Sequence, residues 1–167
     1  GGPSHDSPSA GYLIRKRVDP SAIPASSSGT YKKRQGVLYR LAEAYLSYAE
    51  SLYEYSVATG TYTDNETEIL DYINRVRYRA GIPQYGKGAD QIPVTEAQLR
   101  DLIRRERRVE LNCEAGIRFD DLRRWKEAET ALNGKFYGMN ALAKSTERDE
   151  YYKRTLYQTR RFISYWW

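Results

Sequence analysis

The chain has 167 residues, enough for one domain with a workable core or for a piece of a larger one, and a formal charge of +5 from 27 basic and 22 acidic residues. Its one cysteine, Cys113, excludes an intrachain disulfide, and its one histidine, His5, sits in the disorder-prone stretch GGPSHDSPSA, which excludes histidine triads and His-rich zinc sites. No segment is long and apolar enough to span a bilayer as a helix.

Residues 1–36 are rich in Gly, Pro and Ser and read as a loop-rich segment around a weak strand signal from Gly11 to Val18. Two basic triplets, Arg15-Lys16-Arg17 and Lys32-Lys33-Arg34, lie in this segment with aromatics nearby. Nothing else in the sequence supports phosphate contact, so no nucleic-acid partner is expected. A helix is predicted from Val37 to about Ala58, with Leu38, Leu41, Ala42, Tyr45, Ala49 and Leu52 as its apolar stripe and Tyr39, Leu46 and Tyr53 widening it. Gly60 ends it. The next helix opens at Asn65 or Glu66, and its stripe is Ile69, Tyr72 or Ile73, Val76 and Ala80. Gly81-Ile82-Pro83 closes it, glycine being able to turn left-handed and proline unable to continue. A glycine-containing loop from Gln84 to Val94 follows.

From Thr95 to Trp125 the helical signal and the charge are both at their densest. Thr95 with Gln98 has the spacing of a capping box, and Leu99, Leu102, Ile103, Glu106, Val109, Glu110 and Cys113 share one face of a helix of about five turns. Gly116 supplies the stop. Leu122, Trp125, Ala128 and Leu132 mark a further helix, expected to fold back on the one before it as an αα-hairpin.

Two glutamates, Glu106 and Glu110, fall on a face that the leucines need for burial, and Glu114 stacks above them. Unpartnered carboxylates are too costly there, so a guanidinium–carboxylate network between the two helices is expected, with Glu106, Glu110, Arg118 and Arg123 at its centre. A glycosidase-like pair drawn from Glu106, Glu110 and Asp120 or Asp121 fits poorly, because nine basic residues between Arg100 and Lys126 stand ready to neutralise six acidic ones. The chain is therefore read as a non-enzyme, with no catalytic residues, no metal site and no cofactor. From Asn133 onward the helical period is lost, and an aromatic-rich, irregular tail with a β-leaning end from Thr159 to Trp167 is expected.

Four passages taken together resemble the C-terminal part of the SusD/RagB family of nutrient-binding outer-membrane lipoproteins: GYLIRKRVDP at 11–20, YRLAEAYLSYAESLYE at 39–54, INRVRYRAGIP at 73–83 and RDLIRRERRVELNCEAGIRFDDLRRWKEAE at 100–129. The resemblance implies an all-α fold of degenerate tetratricopeptide-like helical hairpins, with long irregular N- and C-terminal segments. Leu41-Ala42 followed by Tyr45 also matches the small-residue and aromatic steps of a tetratricopeptide first helix. Residues 1–36, 37–133 and 134–167 are then a loop-rich segment, a helical scaffold and a tail of one larger domain, most of which should precede Gly1 together with the family's lipid-anchor cysteine. What the family implies for function is non-catalytic capture of a nutrient, foremost an oligosaccharide, on the outer-membrane surface and its delivery to a TonB-dependent SusC-like transporter. A helical-repeat scaffold that binds only a protein partner is the alternative. Sugar contacts need aromatic faces, and Tyr31, Tyr85 and Tyr137 are the candidates because they lie in loops and not on helix stripes.

Overall fold

A computed structural model describes residues 14, 16, 18–19, 21, 36–114, 116–140, 142–144 and 146–161. Of the expected strand at Gly11 to Val18 all but Ile14, Lys16 and Val18, and also both basic triplets except Lys16, Tyr31 and the terminal aromatics from Phe162 to Trp167, lie outside the described residues. Two compact units are present. One comprises residues 35–118, and the other comprises 1–34 with 119–167.

In the first unit, α1 (Leu41–Thr59) and α2 (Tyr62–Arg79) form a hairpin, joined through Gly60 at φ 72°. The left-handed turn lets the Thr61 N–H reach the Ser56 carbonyl at 2.9 Å, which satisfies one of the carbonyls orphaned at the helix end. Cross-hairpin pairs run in opposite senses: Tyr53 meets the Tyr62 ring, whereas Tyr45 meets Tyr72. The hairpin is therefore antiparallel. α3 (Glu96–Glu110) runs antiparallel to α1, since the Tyr53 hydroxyl donates to the Glu96 carbonyl while Arg107 reaches back to Ser47. Its start is fixed by the expected cap, the Thr95 N–H donating to Gln98 Oε1 at 3.1 Å.

The core of this unit is Ala49, Tyr53, Ile69, Ile73, Tyr85, Leu99 and Ile103, continued by a smaller cluster of Ala42, Leu46 and Val76. Burying each large aliphatic of this set is worth roughly 1.5–3 kcal/mol. On α1 the buried stripe is Ala42, Leu46, Ala49, Tyr53 and Ser56, so two residues expected to widen the stripe lie at its centre. Leu38 and Leu41, expected in the stripe, are exposed: the helix opens four residues later than Val37, which leaves Leu38 ahead of it and Leu41 at its first position. α2 opens three residues before Asn65. α3 is also shorter than expected: it stops at Glu110, and Cys113 turns left-handed at φ 60° and is exposed. Val109 is 65% exposed as well, so the apolar face ends one turn early.

In the second unit, the sequence continues from α4 (Ile117–Arg124) to the short α5 (Ala128–Leu132), which are separated by Lys126 at φ 58°. Leu122 and Ala128 form a small core with Leu132. The tail is more regular than its sequence suggests. β1 (Gly134–Met139) pairs antiparallel with β2 (Arg154–Arg160), a bulge falling between Phe136 and Tyr137, and the one-turn helix α6 (Arg148–Tyr151) lies in the connection. The Arg154 guanidinium lies 4.6 Å from the Tyr137 ring centre and that of Arg160 lies 5.3 Å from Phe136, which ties the strands together by side chain as well as by ladder. The described fold is mainly helical, with this two-stranded hairpin as its only sheet among the described residues.

Candidate functional site

The most constructed feature of the first unit is the loop that returns from α2 toward α3. α2 ends with Gly81 at φ 69°, where the Ile82 N–H bonds the Arg77 carbonyl at 3.1 Å and the Gly81 N–H bonds that of Tyr78 at 3.0 Å. Pro83 then prevents further helix, and the extended chain lies back along α2. Two α2 side chains hold it there. Asn74 donates from Nδ2 to the Tyr85 carbonyl and accepts on Oδ1 from the Tyr85 N–H, both at 2.8 Å. Arg77 donates from Nε to the Pro83 carbonyl at 2.7 Å and from a terminal nitrogen to the Tyr85 hydroxyl at 3.1 Å.

The loop also closes on itself. The Ile92 N–H bonds the Gln84 carbonyl at 2.8 Å, and the Gly86 N–H bonds the Ile92 carbonyl at 3.0 Å. Gln91 Oε1 accepts from the Gly88 N–H at 2.9 Å, and a Cβ on Gly86 would stand 2.1 Å from that oxygen. Glycine is favoured at 86 by its φ of 154°, which residues with a side chain rarely adopt, and the Gln91 side chain folds into the space beside it.

Between this loop and α2 lies a cleft of about 350 Å³. Glu66, Thr67, Leu70, Asp71 and Asn74 line it from the helix, and Gln84, Tyr85, Lys87, Gln91 and Val94 from the loop side. Leu70 and Val94 supply apolar surface, while amides, a hydroxyl and charged groups supply hydrogen bonding, the mixture that recognition sites for polar ligands use. Tyr85 belongs to this wall but is only 5% exposed, and burial pushes its phenol above the ordinary value although Arg77 pulls the other way. It is therefore a part-hidden wall of the cleft and not an open stacking face. Tyr137 is 47% exposed on β1.

The expected carboxylate network takes its described partners from elsewhere in the chain than foreseen. Glu106 pairs with Arg77 of α2 at 2.7 Å, both side chains being about 8% exposed. Glu110 pairs with Arg40 and Arg79, and Glu114 accepts from Arg40 Nε at 2.8 and 2.9 Å. Arg40 also bonds the Glu110 carbonyl at 2.6 Å, so the residue before α1 caps the end of α3. Glu114, followed by Glu110, raises the pKa of Arg40 further above its usual value. The guanidinium of Arg123, expected to join the network, lies 5.7 Å from the Phe119 ring centre, and Arg118 is half-buried just after Gly116. A second buried pair went unforeseen. Glu50 lies 3.5 Å from Arg107, which also donates to the Ser47 hydroxyl at 2.9 Å. Its signal was present, for Glu50 falls four residues after Leu46 and three before Tyr53, on the buried stripe.

A profile of the SusD family matches residues 2–167. The chain belongs to the SusD family. Two solved relatives share its fold. A SusD-like protein from Bacteroides fragilis NCTC 9343 is 28% identical with a TM-score of 0.53, over 73% of this chain and 20% of its own. A SusD-like carbohydrate-binding protein from the same strain is 33% identical with a TM-score of 0.53, over 75% of this chain and 24% of its own. This SusD-family chain thus spans about a quarter or less of the length of those relatives. No curated protein matches it.

Proposed function

We propose that this chain is part of a non-catalytic glycan-capture protein, held at the outer-membrane surface by a lipid anchor and passing its ligand to a TonB-dependent SusC-like transporter. The observation that carries the reading is a SusD-family chain with a preorganised polar cleft, where Asn74 and Arg77 hold the 84–92 loop against α2 before any ligand arrives. Preorganisation matters because a sugar offers many weak hydrogen bonds and little apolar area, so little binding energy is available for ordering a loop. One solved relative is described as carbohydrate-binding, which supports glycans over other nutrients.

Of the acidic residues that suggested an enzyme, Glu106 is engaged by Arg77, Glu110 by Arg40 and Asp121 by Arg124. They brace a tetratricopeptide-like scaffold in this reading. The cleft between α2 and the loop is a contact region of the first unit, and Tyr137 and Tyr31 are candidate stacking residues considered by themselves.

Calorimetric titration of the full-length protein with a panel of oligosaccharides tests the capture role, with dissociation constants of about a micromolar to a millimolar expected. Silence across the panel, with co-purification of a barrel transporter that is indifferent to added sugar, would favour the protein-only scaffold.

A further inference from the structure

α1 buries one side against α2 and α3 and leaves another open to solvent. Two series of seven-residue steps run along the open side. Leu41, Tyr48 and Tyr55 form the first, and all three are exposed. Ala44, Ser51 and Ala58 form the second, three residues on, with Ser51 and Ala58 exposed and Ala44 half-buried. No charge interrupts either series. The helix carries only three charged residues, Glu43, Glu50 and Glu54, which share an adjoining side, and the last two pair with Arg107 and Arg100 of α3.

The outward sides of the neighbouring helices are different. α2 exposes Asp64, Glu68, Asp71, Arg75 and Arg79, and α3 exposes Glu96, Asp101, Arg105 and Arg108. Charged residues of this kind are what a helix normally turns to water. Single apolar residues on a surface need no explanation, but an uncharged line of them along about five turns marks a contact surface. Tyr48 is already fixed for such a contact. Its ring centre lies 4.5 Å from that of Tyr72, and its hydroxyl donates to Glu68 at 2.8 Å.

We propose that this side of α1 is a docking seam for a further helix of the same full-length polypeptide, one that lies outside these 167 residues. Steps of three and four that repeat every seven residues are the spacing of a seam between two helices crossing at about 20°. A loop or a strand does not match a line of that period and length. Large residues alternate with small ones along it, so side chains of the incoming helix enter beside Ala44, Ser51 and Ala58 between the walls made by Leu41, Tyr48 and Tyr55. Length points to the source of that helix. The chain covers 20% and 24% of two solved relatives, which leaves more than three-quarters of each outside the match, and the rest of such a fold has to meet this piece on some face. The uncharged face of α1 is the one where contact strips water from the fewest charges. The inference is independent of the glycan-capture reading.

The test is thiol labelling of the full-length protein at concentrations where light scattering shows a monomer. Ser51→Cys is close to isosteric, and its thiol is expected to react with a water-soluble disulfide reagent at least about tenfold more slowly than in denaturant, because reaction then waits on local opening. Ala44→Cys and Ala58→Cys should be protected alike, whereas Asp101→Cys, on the charged side of α3, should react nearly as fast as in denaturant. A second measurement uses charge. Ser51→Glu should lower the thermal midpoint of the full-length protein by several degrees while Ser51→Ala leaves it in place, since a carboxylate enclosed in the seam has no partner. Labelling of Ser51→Cys as fast as that of Asp101→Cys, or equal midpoints for Ser51→Glu and Ser51→Ala, would overturn the seam. Protection at one end of α1 only would exclude a helix as its occupant. Protection that appears only at concentrations where the protein dimerises would assign the seam to a second copy and overturn the inference as stated. Each of these results would leave glycan capture standing.

Discussion

Asn74 grips Tyr85 twice, donating to its carbonyl and accepting from its N–H, both at 2.8 Å. One side chain thereby stands in for a neighbouring strand, satisfying both backbone groups of a residue whose ring is buried in the core. Asn74→Ala should cost about 1–3 kcal/mol, the range for leaving buried backbone groups without partners. The loss should be local first: amide exchange across 84–92 is expected to accelerate well before that of α1. Asn74→Asp keeps the acceptor and loses the donor, so it should fall between alanine and wild type. Uniform acceleration across both regions would contradict this account.

Arg77 and Glu106 form a buried ion pair at 2.7 Å. Removing either partner alone strands the other, so Glu106→Leu should destabilise by about 3–5 kcal/mol in urea unfolding. Adding Arg77→Met should recover part of that loss by removing the stranded charge. Recovery should be incomplete, because Arg77 also holds the Pro83 carbonyl and the Tyr85 hydroxyl. A double variant less stable than the sum of the two single losses would show that the pair does not act as a unit.

The features legible in the sequence are those written in neighbouring residues. The Thr95 and Gln98 cap, the Gly81-Ile82-Pro83 stop and the 69/73/76 stripe depend on spacing along one helix, and the structure contains each of them. Two partners of the buried glutamates were illegible because they are distant in the chain: Arg77 lies 29 residues before Glu106, and Arg40 lies 70 before Glu110. The cleft was invisible for a similar reason, since Gln91 folding over Gly86 is a fact of loop closure and not of pattern. The β1–β2 hairpin was missed because its strands are joined by residues 140–153 in place of a tight turn.

Cys113 shows how a backbone turn can override a periodic pattern. Its position continues the apolar face of α3, yet its φ of 60° directs the chain out of the helix and leaves the thiol exposed. A non-glycine residue in that region carries of order 1 kcal/mol of strain. Cys113→Gly should therefore leave stability unchanged or raise it by up to about 1 kcal/mol, net of the entropy gained by the unfolded chain. The native thiol should react with a soluble disulfide reagent as fast as it does in denaturant. Protection of the thiol together with loss of stability in the glycine variant would place it back in the core.

The Tyr62 phenol is pushed up to about 12 from an ordinary 10.0, first by burial and then by the negative charge of Glu66. In the unfolded chain it loses its proton near pH 10, whereas in the folded chain it keeps the proton until about pH 12. Between those values the unfolded state binds fewer protons, so stability falls as pH rises. The contribution is present in full below pH 10 and is lost through pH 12. Tyr53 and Tyr85, both raised chiefly by burial, act in the same direction. The arginine braces do not titrate in this window, since Glu114 and Glu54 raise the pKa values of Arg40 and Arg100 above the usual guanidinium value. Thermal midpoints should therefore decline steadily across this alkaline range, and Tyr62→Phe should flatten the decline. An unaltered slope in the phenylalanine variant would show that the Tyr62 hydroxyl is solvated and titrates alike in both states.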